Sequence, residues 1–228
     1  MTTSAESPEI PPLPTLTMPL EEAMRTQRAL RRLRPEPVED ALLLRLIELA
    51  LKAPTGRNAQ NWEFVLVKDP MVKARLARLY RIAWGLYGRI GRLLTATDPK
   101  MQRQLEAVQW QVDHFEDIPV LVVACLRGLR PRWPPLAVTS YYGSIYPSVQ
   151  NLLLAARAAG LGGALITLPL WSTWLVRRVL SLPWRVTPCA VVPLGWPMGR
   201  YGPTTRRPVG DAVHLDRYGH QPFKAFQP

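Results

Sequence analysis

Three stretches of this chain combine residue types that could hold a flat, anionic ligand. "QRALRRLRP" sets Arg28 and Arg31 three positions apart, near the end of a predicted first helix, where they would share a face. Two forked guanidinium groups suit a phosphate, because each plane donates two parallel hydrogen bonds. A solvated basic helix end that stabilises the dipole fits the same residues. "APTGRNAQNW", residues 53–62, brings the Thr55 hydroxyl, the flexible Gly56 and the amides of Asn58 and Gln60 into one short link. Such a loop can aim donors and acceptors at a polar ring while Trp62 anchors the following strand; an ordinary turn uses the same residues. "GLGGALITL" lets the backbone pass close to a ligand at its glycines and then offers strand amides over Leu165, Ile166, Thr167 and Leu168, although a helix stop followed by a strand accounts for it equally. Near the C-terminus, "GPTTRRP" adds Arg206 and Arg207 on an extended arm.

Other chemistries find no purchase. The three histidines, His114, His214 and His220, are far apart, and Cys125 and Cys189 lie within apolar runs, so neither a metal cluster nor a disulfide framework is expected. No Ser-His-Asp set and no paired catalytic carboxylates stand out. The formal charge is +12, and 24 of the 29 basic residues are arginines. That balance raises nucleic acid as a partner, but the arginines are scattered and form no basic stripe interleaved with aromatics, so no nucleic-acid role is expected. An arginine-biased proteome, or anionic cofactors and substrates, account for the charge as well. "NLLLAARAAGLGGALITLPLW" is long enough to span a bilayer, but Arg157, its glycines and its proline favour a helix ending at Gly160 and a buried strand, and no membrane partner is expected. The polar, proline-rich opening lacks a signal-peptide pattern, which points to the cytoplasm.

The elements that would position these residues follow from periodicity. Helices are predicted over Leu20 to about Ala29, over Glu39 to Lys52, from Pro70 (capped by Asp69) to roughly Tyr87, over Pro99 to His114, from about Ser144 to Gly160, and over Trp171 to Leu180. Strands are predicted at Trp62 to Lys68, Ile118 to Leu126, Ala164 to Leu168 and Cys189 to Gly195, with a loop over "RGLRPRWPPLAVTS". The helix after Ser144 is apolar on nearly every face, which suits the centre of a domain or of a dimer. The order predicts an α+β, three-layer arrangement around a mixed sheet. Residues 1–19 read as a flexible Pro-rich arm, 20–219 as one domain with an extended arm over 196–219, and 220–228 as a tail.

Four segments in order, "RALRRLRPEPV", "APTGRNAQNWEFVLV", "SVQNLLLAARAAGLGGALITL" and "VVPLGWPMGRYGPTTRRPV", resemble the nitroreductase family of flavin enzymes. The resemblance implies an intertwined homodimer that holds FMN at its interface, takes electrons from NAD(P)H and passes them to a small-molecule substrate of nitroaromatic or quinone type. The family's arginine motif falls on Arg28 and Arg31, which would grip the FMN phosphate with Arg206 or Arg207, and Ala29 between them is a further cofactor-binding position. Its "PS..N.Q.W" loop falls on Pro54, Thr55, Asn58, Gln60 and Trp62, and this loop, with Gly56 in it, would line the flavin of the other subunit. Leu165 to Leu168 would lie against the ring, with the Thr167 N–H near N5. Relatives with flavin-destroying, dehalogenating or deazaflavin-reducing chemistry share the scaffold, and a non-catalytic flavin carrier is the alternative of another class. Ala29 stands where the family has Ser or Asp, and Asn61 where Pro is usual.

Overall fold

A computed structural model describes residues 14–94 and 97–225; most of the Pro-rich N-terminal arm lies outside these residues. In chain order the elements are α1 (Leu20–Thr26), α2 (Asp40–Ala50), β1 (Trp62–Val67), α3 (Pro70–Leu94), α4 (Pro99–Asp113), β2 (Val120–Arg127), α5 (Pro135–Gly143), α6 (Tyr146–Ala158), β3 (Gly162–Gly163), α7 (Thr173–Leu180) and β4 (Val186–Gly195). The sheet runs β1-β2-β4-β3. Every described ladder is antiparallel, so the sheet is not the mixed one that the alternation of helices and strands suggested.

Strand pleat divides the core. On β2, Val120, Val122, Ala124 and Leu126 point into one apolar cluster, shared with Leu43 and Leu46 of α2 and with Val149, Leu152 and Ala156 of α6. Leu121, Val123 and Cys125 point the other way, against Leu76, Tyr80 and Trp84 of α3, Val112 of α4 and Val176 of α7. The sheet is thus sandwiched between α2 and α6 on one face and α3, α4 and α7 on the other, which is the expected α+β layering. At Ala124/Cys125 the register passes from Ala190 to Pro188 and skips Cys189, a bulge beside a proline that cannot donate to the ladder.

Several boundaries differ from expectation for local reasons. The first helix stops at Thr26 and Gln27 is already extended. There the chain pairs instead of coiling: Leu30 N–H donates to Gly163 O (3.0 Å), Arg34 N–H to Trp196 O (2.8 Å) and Met198 N–H to Arg32 O (3.1 Å). Helix α3 continues past Gly88 because that glycine lets the Trp84 indole lie against the helix, where a Cβ would stand 2.8 Å from Cε2. Helix α5 occupies part of a presumed loop. "ALITL" is not a strand: β3 is confined to Gly162–Gly163, and beyond it Ile166 alone bridges to Val191.

The glycines of β3 are a packing requirement. A Cβ on Gly163 would meet Leu194 Cδ2 at 2.8 Å and Pro193 O at 3.1 Å. Gly163→Val is therefore expected to destabilise the fold by about 1–3 kcal/mol through overpacking, read as a lower urea midpoint with an unchanged slope.

Candidate functional site

A cleft of about 270 Å³ opens between the extended segment after α1, the α3–α4 pair and the residues that follow β3. Arg31 enters it from one side, Leu165, Ile166, Thr167 and Leu168 from another, and Tyr80 and Trp84 form a wall. Five of the residues singled out by sequence therefore meet in one place.

Backbone direction explains what the segment at 165–168 can offer. Ile166 gives both its N–H and its C=O to Val191, at 2.9 Å each, so these groups face β4. Alternation along an extended chain turns the amides of Leu165 and Thr167 away from β4. No described hydrogen bond uses the Thr167 N–H, and Thr167 O is taken by Leu170 N–H at 2.8 Å. An outward amide donor at the cleft wall can serve an electronegative ligand atom.

Arg31 is poised in a complementary way. Its Nε is buried and has no hydrogen-bond partner among the described residues. Leaving a charged donor unpaired in a buried place is costly, so an acceptor brought by a ligand would be favoured there. Burial pulls the Arg31 guanidinium below its usual range, opposed by Tyr80. The same burial pushes the Tyr80 phenol up to about 12, with Arg31 drawing it down. Because the neutral phenol is favoured by the fold, the linked stability is complete below the ordinary value of 10.0 and falls as pH rises from there toward 12. Burial pushes the Tyr201 phenol up to about 12 as well, so a spectroscopic titration is expected to show these two tyrosines resisting ionisation, and Arg31→Ala is expected to push the Tyr80 step alone higher still.

Arg28 lies elsewhere. Since the chain is extended after Thr26, residues 28 and 31 do not share a helical face, which corrects the expected geometry. Arg28 is exposed, and its Nη1 lies 3.9 Å from where a Cβ on Gly202 would stand. The arm crosses here: Thr204 N–H donates to Arg25 O at 2.9 Å, and the Tyr201 hydroxyl donates to Leu161 O. Arg206 borders a shallow groove with Arg25 and Met24, and both Arg206 and Arg207 are exposed. Ala29 is exposed as well.

Sequence inspection missed Arg157 as a positioning residue. Its Nε donates to Thr26 Oγ1 at 2.8 Å and its guanidinium lies 4.1 Å from the Tyr201 ring centre, tying the end of α1 to the arm. Its place inside an apolar helix was the available signal. Tyr80 and Trp84 carried no motif. Trp84 lines the cleft, whereas Trp110 stacks on His114 at 4.2 Å and Trp133 is exposed on the loop before α5.

The 53–62 loop is built on the other face of the sheet. Arg57, Asn58 and Gln60 all have positive φ, and the turn is held by Gln60 N–H to Thr55 Oγ1 (3.1 Å) and Gln60 Nε2 to Asn58 Oδ1 (3.2 Å). Gly56 N–H reaches Ser144 Oγ at 3.3 Å, and Trp62 Nε1 donates to Ser144 O at 2.7 Å inside the α2–α6 cluster. Asn61 takes the role of a clamp, donating through Nδ2 to Arg127 O at 3.0 Å while its own carbonyl accepts the Arg127 N–H at 2.8 Å. No described hydrogen bond joins this loop to Arg31 or to residues 165–168. Within one chain, the predicted site residues form two separate halves, with Arg28, Arg206 and Arg207 along the arm.

No described group of three or more His, Cys, Asp or Glu residues could hold a metal ion, and no described helix is long and apolar enough to cross a membrane.

An antiparallel sheet between two helical layers, with an arginine and an outward backbone amide lining one cleft, defines an α+β protein. Residues 24–196 match the model of the Nitroreductase family, and the chain belongs to that family. It is 29% identical over 203 residues to an NADH dehydrogenase of Thermus thermophilus, covering 82% of this chain and 91% of the relative. It is 26% identical over 182 residues to an iodotyrosine deiodinase of Thermotoga neapolitana, covering 78% and 88%. Among solved structures it shares the fold of oxidised iodotyrosine deiodinase bound to FMN and 3-iodo-L-tyrosine, with a TM-score of 0.66 and 22% identity over 88% of this chain and 98% of that one.

Proposed function

We propose that this protein is an FMN-dependent oxidoreductase that uses NAD(P)H to reduce a small organic acceptor of nitroaromatic or quinone type by two-electron ping-pong chemistry, working as a cytoplasmic homodimer. The observation that carries the reading is the cleft in which the buried, unpartnered Nε of Arg31 meets the outward N–H of Thr167. Membership of the nitroreductase family and likeness to an FMN-bound structure support flavin as the ligand of that cleft.

The residues fit the group. Bound FMN supplies hydride acceptance at N5 and two-electron transfer to the acceptor. Thr167 would present its N–H toward the N5 region, and Leu165 to Leu168 would support the ring. Arg31, half-buried at the same cleft, would place positive charge beside the ring and stabilise its reduced, anionic form. Arg28, with Arg206 or Arg207 from the crossing arm, is exposed and suited to the phosphate. Pro54, Thr55, Gly56, Asn58 and Gln60 would complete the site from the partner subunit, since they lie on the far face of the sheet in their own chain.

A second reading, reductive dehalogenation on the same scaffold, is favoured by the iodotyrosine deiodinase relative. Steady-state NAD(P)H oxidation separates the two: turnover with a quinone or nitroaromatic supports the first reading, and turnover with a halotyrosine alone supports the second. Flavin that binds but cannot be reduced would reject both in favour of a carrier.

A further inference from the structure

A second cavity lies where β2 ends and β4 begins. It measures about 390 Å³, shares no residue with the Arg31 cleft, and its walls include Arg130, Arg132, Arg177, Trp184 and the buried Thr187. Three guanidinium groups line it and no carboxylate does. None of the three forms an ion pair among the described residues, whereas eight other basic side chains on this protein do.

The arginines are positioned by the fold. Arg177 Nε donates to Val186 O at 3.1 Å, its Nη2 donates to Thr187 Oγ1 at 3.5 Å, and its guanidinium lies 5.1 Å from the Trp184 ring centre. Arg130 lies over Tyr142 at 5.8 Å. Gly128, at φ +121, makes the turn that brings Arg130 and Arg132 over the cavity, and its N–H is fixed to Arg185 O at 2.7 Å. A φ of that value is one that side-chain-bearing residues rarely adopt.

Three like charges converging on one concavity repel one another, and the cavity walls focus their field outward. An anion with several oxygens in different directions relieves that repulsion, and guanidinium forks match phosphate oxygens in pairs. The volume lies in the range of small-molecule sites, and Trp184, 78% exposed, offers an aromatic surface at the rim. We propose that this cleft is a second ligand site, separate from the Arg31 cleft, which binds a small anion carrying a diphosphate group.

The test titrates the purified, flavin-loaded protein with inorganic pyrophosphate and, in a second arm, with ADP, following tryptophan fluorescence and calorimetry. Saturable binding is expected, with a fluorescence change that Trp184→Phe removes. Arg130→Gln with Arg132→Gln, both exposed positions, should weaken binding by about tenfold for each arginine lost while leaving flavin content unchanged. Tighter binding of ADP than of pyrophosphate would assign the site to a nucleotide, and equal binding to the inorganic ion. Absence of saturable binding in both arms would overturn the proposal. So would affinity undiminished in the double variant, or a signal abolished by Arg31→Ala and kept in the Arg130/Arg132 variant, which would place the anion in the flavin cleft.

Discussion

Replacing Arg28 and Arg31 together by alanine is expected to yield a folded protein that no longer retains FMN. Each charge-assisted hydrogen bond contributes about 1.5–3 kcal/mol, so losing one at each arginine weakens binding by about a hundredfold or more. The fold should tolerate the change, because Arg28 is exposed and neither side chain forms a described ion pair. The single variants should differ in kind. Arg28→Ala should reduce occupancy without altering the bound flavin, whereas Arg31→Ala should shift the reduction potential of whatever flavin remains to more negative values, because the charge beside the ring is gone. Flavin content after gel filtration and a redox titration check both outcomes. Full occupancy in the double variant, with an unchanged potential, would remove the arginines from the site.

Pairing two defective subunits in one dimer should restore half of its flavin sites. Arg31 and residues 165–168 belong to the α3–α4 face of the sheet, and the 53–62 loop belongs to the α2–α6 face. If a complete site draws one half from each subunit of a two-fold dimer, an Arg28/Arg31 variant and an Asn58→Ala/Gln60→Ala variant are each defective as homodimers. In a hetero-dimer isolated with two different tags, one of the two sites carries both intact halves, so flavin content should recover to about half that of the unmodified protein. Sites built within a single chain would leave both halves of the mixed dimer defective and recover none.

The sequence made the layers legible because amphipathic period and apolar runs are local signals. The predicted helix Glu39 to Lys52 and strand Ile118 to Leu126 match α2 and β2 to within two residues at either end. What misled was decided by partners distant in sequence. Arg28 and Arg31 sat in an apparent helical continuation, but pairing of Leu30, Arg32 and Arg34 with Gly163, Met198 and Trp196 straightens the chain. "ALITL" has strand composition, yet Ile166 finds a single partner in Val191, and the unpaired amides beside it are what make the segment useful to a ligand. Helix α5 hides behind two prolines and carries no apolar stripe. The loop at 53–62 was visible as a polar interruption. Its location on the opposite face of the sheet from Arg31 is a property of topology, which no spacing rule conveys. Asn61 shows the same limit: its clamp on Arg127 reaches 66 residues along the chain.

Anaerobic mixing of the flavin-loaded protein with NADH or NADPH tests the central claim most directly. The account predicts that the visible flavin absorbance bleaches with one nucleotide or both, and returns when a quinone or nitroaromatic is added without oxygen, as two separable half-reactions. Bound flavin whose absorbance neither nucleotide changes would contradict it.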